Sequence, residues 1–331
     1  MKKKKKVVVI VGTTASGKTA LAVDLAYKFG GEIISADSRQ VYKYMNIGTG
    51  KDLNEYNIKS KIINHKSPLR QSCAGQAKIT KIPYHLIDVA HPNTHYDLAK
   101  WLKKAKICIN DILDRGRLPI IAGGTGLYSQ ALVDNFNLSK YGEDKKLRAK
   151  LEKKDALKLF EILLKLDEKF AKKLNNSEKN NKRRLIRYIE ICKQGEKIKN
   201  KNLNKNNEYE FLLIGVAYSI EILRKRIYKR LVHRLEKEDM IGEVANLHKN
   251  KRVSWKRLES FGLEYKFITQ YLRKKLIYKD MVEKLNIAIG QFAKKQINWL
   301  RRWEAQGAKI NWVKNRREAG KICQNFLYLD K

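Results

Sequence analysis

Short apolar runs and longer amphipathic stretches alternate along the first 135 residues of the chain. Residues 7–11, 32–35, 84–89 and 118–122 are brief and rich in valine and isoleucine, the pattern of buried strands. Between the last two the period changes. Leu98, Trp101, Leu102, Ala105, Ile109, Ile112 and Leu113 recur at helical spacing and predict an amphipathic helix over 98–113. Strands alternating with helices predict βαβ units and a parallel sheet with helices on its faces.

The pattern changes after residue 135. Residues 136–207 hold charged helical stretches, among them 145–166 and 182–193, and no strand signal. The run EFLLIGVAY at 210–218 then reads as a strand again, and everything from residue 220 onward reads as helical and basic. The economical account is an α/β chain that leaves its sheet, builds an all-helical domain over 136–207, and returns to add a last strand. The core is then 1–135 with 208–331. Residues 54–81 have weak periodicity and read as an irregular excursion.

Charge changes this picture. Lysine and arginine number 72 against 34 acidic residues among 331, a net charge of +38. That excess points to an acidic partner, nucleic acid ahead of membrane, although some of it lies in uninformative stretches such as 197–207. No run approaches the roughly 20 apolar residues of a membrane span. The lysines at 2–6 precede an apolar run too short for an export signal. Cys73, Cys108, Cys192 and Cys323 lack paired spacing, which suits reduced thiols in the cytoplasm and gives no zinc site. His91 and His95 flank Pro92, a loop context that disfavours a metal pair.

Three stretches carry candidate chemistry. Gly12, Thr13, Thr14, Ala15, Ser16, Gly17, Lys18 and Thr19 fit GxxxxGK[ST] between a strand and a helix, the context in which the motif is a phosphate cradle. Backbone N–H groups and the helix N-terminus would face phosphate oxygens, Lys18 would add charge, and the Thr19 hydroxyl would hold Mg²⁺. A nucleotide hydrolase also needs an apolar strand ending in an acid. YHLID, ending at Asp88, and EIISAD, ending at Asp37, are poor candidates, so an ATP-binding signature stands here without hydrolase machinery. The strand before Asp37, Ser38, Arg39 and Gln40 delivers these four to the carboxyl edge of the sheet, where ligands bind in such folds. Asp37 there could ligate a metal, take a proton, or cap the next helix. The third stretch is LPIIAGGTGLYSQAL at 118–132, whose glycine turn brings Thr125 to the same edge. Two such loops on one crevice suggest two substrates.

GTTASGKT, SADSRQVY with NIGTGK, YHLIDV, RGRLPIIAGGTGLY, NKRRLIRYIE and QFAKKQINWLRRW occur in the order found in tRNA dimethylallyltransferases, and the chain resembles that family over nearly its whole length. The resemblance implies a P-loop core with an inserted helical tRNA-binding domain, acting as a monomer. It implies transfer of a dimethylallyl group from dimethylallyl diphosphate to N6 of the adenosine 3′ to the anticodon of tRNA. Asp37 is then the base, and residues 12–19 with Mg²⁺ hold the diphosphate, assisted by Arg226 or, as second choice, Arg230. Ser38, Arg39, Gln40, Thr125, Arg183, Arg184, Arg187 and, more weakly, Arg148 match tRNA contacts. In the C-terminal helix, Trp299 is expected in the core, with Lys294, Lys295, Arg301 and Arg302 facing RNA. Thr13 replaces the family's usual proline, NIGTGKD replaces the commoner IGTAKP, and Leu263 stands at a tyrosine position. The alternatives are an isopentenyltransferase or kinase acting on a free nucleotide, which would need no basic helical insert, and an RNA-binding protein without activity.

Overall fold

A computed structural model of the chain describes residues 4–60, 78–136, 142–195 and 208–328. It divides into two compact units, Met1–Val133 with Asn206–Lys331, and Asp134–Lys205. Cys73, part of the 54–81 excursion and the stretch 197–207 lie outside the described residues.

The first unit opens with β1 (Lys5–Gly12), α1 (Lys18–Phe29) and β2 (Gly31–Ser35). A 3₁₀ turn at Leu53–Tyr56 and a two-stranded antiparallel ribbon, β3 (Asn57–Ser60) and β4 (Lys78–Lys81), follow. Then come β5 (Tyr84–His85), α2 (Leu98–Asp114), β6 (Leu118–Ala122) and α3 (Gly126–Val133). The second unit holds α4 (Lys145–Glu152), α5 (Ala156–Leu166), α6 (Glu168–Lys172), α7 (Asn176–Lys179) and α8 (Lys182–Lys193). The first unit resumes with β7 (Tyr209–Val216), α9 (Ile220–Glu236), α10 (Met240–Lys249), α11 (Trp255–Ser260) and α12 (Leu263–Leu272). It closes with α13 (Tyr278–Ala305), β8 (Ile310–Val313) and α14 (Arg316–Tyr328).

Among the described residues the main sheet has the order β5-β2-β6-β1-β7-β8, and every pairing in it is parallel. Val7 to Ile10 have no exposed surface, so β1 carries an unbroken apolar run because both its faces are covered. Gly12 pairs with Val216 and Ser35 with Ala122, which aligns the carboxyl ends of β1, β7, β2 and β6. The loops that follow those strands therefore open onto one edge.

The fold departs from the sequence pattern in four places. The strand read at 84–89 ends at His85, because Leu86 and Asp88 adopt positive φ (60° and 57°), which a strand cannot hold. The helix read over 145–166 is two, since the Asp155 carboxylate accepts the Lys158 N–H and starts α5 anew. β8 adds a four-residue edge strand where only helix was expected. The excursion at 54–81 is bounded by the β3–β4 ribbon rather than being irregular throughout. Among the described residues no helix is long and apolar enough to cross a membrane.

The far edge of the sheet carries a buried acid, Glu32, at 2% exposure on β2. It accepts two bonds from Arg115, at the end of α2, and one of 2.7 Å involving His85 on β5. The Arg115 bonds, against the cost of burial, hold its carboxyl at about 2. Its stabilising contribution is complete above the ordinary carboxylate range and lost as pH falls through about 2. Glu32→Gln should lower unfolding free energy by about 2 kcal/mol, read from the urea midpoint at neutral pH.

Candidate active site

The cradle begins where β1 ends. Gly17, at φ 81°, turns the chain into α1 without a capping side chain, so the first N–H groups of the helix stay open to an anion. The Thr13 and Ser16 hydroxyls are buried and unpartnered. Lys18 Nζ rests 2.6 Å from the Thr13 carbonyl. Burial pushes the Lys18 ammonium down to about 8; Asp37 opposes that displacement and Arg230 adds to it. Arg230 donates to Thr14 Oγ1 and is itself pushed down to about 10, by burial and then by Arg234. The Thr19 side chain lies beside the Glu55 carboxylate, whose pKa burial and Asp52 raise.

Gln296 of α13 joins this loop to the second glycine turn. Its Oε1 accepts the Thr14 N–H at 2.8 Å and its Nε2 donates to the Gly124 carbonyl at 2.7 Å. Gly123 is required here, because a Cβ on it would lie 2.2 Å from the Ala36 carbonyl. That approach lets Thr125 N–H bond Ala36 O at 3.1 Å while Thr125 Oγ1 accepts the Ser38 N–H at 2.9 Å.

Asp37 sits half-buried on the turn so formed. Its Oδ1 accepts the Arg39 N–H at 2.9 Å, and its Oδ2 faces Gly124, where a Cβ would come within 3.1 Å. One oxygen therefore caps the turn and the other takes no part in capping it. Arg39 pairs with Glu264 at 2.7 Å, and Gln40 accepts from Ser35 Oγ at 3.0 Å and donates to Gly50 O at 3.2 Å. The 46–48 backbone is clamped by Glu243, which accepts its N–H groups at 2.7, 2.7 and 3.1 Å and the Tyr265 hydroxyl at 2.8 Å.

Two cavities meet at this turn. One, of about 620 Å³, is polar and contains Lys18, Thr19, Arg230 and Arg234 in its wall. The other, of about 410 Å³, is walled mostly by apolar side chains, among them Leu127, Phe261, Leu263, Trp299 and Leu300. Asp37, Arg39, Gly123, Gly124, Phe292 and Gln296 line both. The arrangement places a carboxylate between a cationic phosphate cradle and an apolar slot.

Some sequence-predicted residues fall elsewhere. Arg226 is exposed outside both cavities, its guanidinium 3.9 Å from the Tyr218 ring centre, and Arg230 takes the place expected of it. Trp299 is a half-buried cavity wall against Gly126; the core tryptophan of α13 is Trp303, at 1% exposure. Lys295 reaches the apolar cavity, while Lys294, Arg301 and Arg302 stand exposed. Asp88 pairs at 2.5 Å with the fully buried Lys51, which removes it as a hydrolase acid. In the helical unit, Arg148 and Arg187 both bind the buried Glu190, at 2.6 and 3.2 Å, and Arg184 binds Glu178 at 3.1 Å. Arg183 is exposed on the same helix. Gln296, Glu264, Glu243 and Arg234 were not singled out from sequence; each acts on residues distant in the chain, and even for Gln296, which lies inside QFAKKQINWLRRW, nothing local shows what it bonds.

A family model described as IPP transferase matches residues 40–303, and one described as isopentenyl transferase matches residues 5–63. The chain is 42% identical over 310 residues to tRNA dimethylallyltransferase 2 of Treponema denticola, spanning 92% of this chain and 95% of that one. It is 40% identical over 309 residues to tRNA dimethylallyltransferase 1 of Syntrophus aciditrophicus, spanning 93% of each. Among solved structures, tRNA delta(2)-isopentenylpyrophosphate transferase from Staphylococcus epidermidis matches 99% of this chain and 100% of its own, with TM-score 0.65 and 30% identity. A eukaryotic dimethylallyltransferase acting on tRNA matches 98% of this chain and 80% of its own, with TM-score 0.73 and 26% identity.

Proposed function

The chain belongs to the IPP transferase family of tRNA dimethylallyltransferases, and from that premise we propose that it moves a dimethylallyl group from dimethylallyl diphosphate onto N6 of the adenosine 3′ to the anticodon in tRNA. The observation that carries this reading is the position of Asp37, lining both the phosphate cradle and the apolar slot. In the reaction the C1–O bond of the donor breaks and its electron pair leaves with the diphosphate. The N6–C1 bond forms, and Asp37 takes the N6 proton. Lys18, Arg230 and the open N–H groups of the 12–19 loop stabilise the charge that develops on the leaving group.

The residues present suit Mg²⁺. Thr19 and Glu55 offer hard oxygen donors in the wall of the polar cavity, and a bound ion would add positive charge beside the diphosphate. For the acceptor, the target base must leave its stack to reach a recessed carboxylate, as in base flipping. Ser38, Arg39, Gln40 and Thr125 shape the entrance through the bonds described, and the helical unit, with Arg183 exposed, would grip the RNA backbone. Because Arg148 of α4 is engaged with Glu190 of α8, its first task is to hold those two helices together, and Arg187 joins the same carboxylate from within α8.

The test is incubation with dimethylallyl diphosphate and either tRNA or AMP, followed by mass spectrometry of the nucleosides. Adenosine from tRNA should gain one C₅H₈ unit. Preferential prenylation of AMP would overturn the assignment of tRNA as acceptor.

A further inference from the structure

Arg234 is a buried cation that the reaction as described does not use. It lies one turn beyond Arg230 on α9, so the two side chains share a face of that helix. Arg234 is 9% exposed, and its guanidinium lines the polar cavity. The guanidinium packs against Gly50, where a Cβ would stand 2.7 Å from Arg234 Nη2. Among the described residues neither arginine forms an ion pair, and Arg230 has a single bond, to Thr14 Oγ1. Two neighbouring guanidinium groups in one pocket repel each other; the Glu55 and Glu264 carboxylates in the same wall offset part of that repulsion, but neither is paired with Arg230 or Arg234, so an anion seated between the two arginines and the cradle is favoured.

We propose that Arg234 is a second guanidinium contact for the departing diphosphate, gripping its terminal phosphate while Lys18 and Arg230 hold the end nearer the breaking bond. This rests on the prenyl-transfer reading above. A phosphate is the fitting ligand because a guanidinium fork matches two of its oxygens at once, whereas an ammonium does not. The placement also separates two tasks. Groups on the 12–19 loop touch the oxygen that leaves carbon, and Arg234 holds the far end of the molecule, so it governs donor retention and product release more than bond cleavage.

The experiment measures binding of inorganic diphosphate to the full chain by calorimetry, without tRNA, for the wild type, Arg234→Gln and Arg234→Lys. The expected result is a Kd raised at least tenfold in Arg234→Gln and only partly restored in Arg234→Lys, with tRNA affinity unchanged. In turnover, the KM for dimethylallyl diphosphate should rise more than kcat falls. Thermal unfolding separates a structural role: without ligand Arg234→Gln should melt no lower than the wild type, and added diphosphate should raise the wild-type Tm more. An unchanged diphosphate Kd in Arg234→Gln, or a lowered ligand-free Tm with equal shifts on adding diphosphate, would overturn the proposal. The binding measurement needs no prenyl transfer, so a wild type that binds diphosphate through Arg234 and yet leaves tRNA unmodified would refute only the reading of the function.

Discussion

Asp37→Asn should lower kcat for prenyl transfer by about 10³-fold, within the range ascribed to a positioned general base, while tRNA affinity stays within about twofold. The substitution keeps what Asp37 does for the fold. Asparagine has an oxygen at the Oδ1 position, so the Arg39 N–H at 2.9 Å keeps its acceptor and the turn keeps its shape. It removes what Asp37 does for the chemistry, because the amide that replaces the oxygen facing Gly124 cannot take up a proton. Adenine N6 is a poor nucleophile, its lone pair being drawn into the ring, so attack on C1 without proton removal would build charge on nitrogen in a recessed site. Single-turnover assays with saturating tRNA and donor, beside a filter-binding Kd, make the measurement. A kcat within tenfold of the wild type would show that Asp37 only caps its turn.

What could be read from sequence was local. The buried run of β1 and the GxxxxGK[ST] loop are contiguous, and their apolar density and glycine spacing each have one physical interpretation. The same holds for α2 and α8, whose predicted bounds, 98–113 and 182–193, agree with Leu98–Asp114 and Lys182–Lys193. What could not be read depended on the chain folding back. Gln296 bonds Thr14 across 282 residues, and Glu264 bonds Arg39 across 225. Gln296 sits in the motif QFAKKQINWLRRW and Glu264 in FGLEY, but neither stretch shows locally which residue its polar group will meet. β8 was missed because INWV is a short edge strand, recognisable only by its register on β7. The choice between Arg226 and Arg230 is of the same kind. Both lie on one helix one turn apart, and the Tyr218 ring, which holds Arg226, leaves Arg230 to the loop. The Walker-type acid is the reverse case. YHLID has the composition of such a strand, but positive φ at Leu86 and Asp88 ends the strand early and turns Asp88 onto Lys51.

Lys18→Met should cut kcat/KM for dimethylallyl diphosphate by about 10²- to 10³-fold, the loss typical of removing one donor to developing negative charge. Methionine keeps the length and the apolar stem of the side chain and loses only the ammonium and its bond to the Thr13 carbonyl. The wild type adds a pH signature that the variant should lack. Burial holds the Lys18 ammonium at about 8 in the ligand-free protein, below the ordinary value for lysine. It is therefore charged below pH 8 and progressively neutral above. The donor's negative charge, arriving beside it, favours the protonated form and raises its pKa in the complex. Linkage then fixes the sign: donor affinity is level below about pH 8 and falls up to tenfold per pH unit above it, until the pKa of the complex is reached. Calorimetric titration of dimethylallyl diphosphate without tRNA, at several pH values from 6.5 to 9.5, would trace this limb in the wild type and a level line in Lys18→Met. A wild-type affinity that does not change between pH 8 and 9.5 would mean that the ammonium is solvated in the free protein and that burial does not hold its charge back for the substrate.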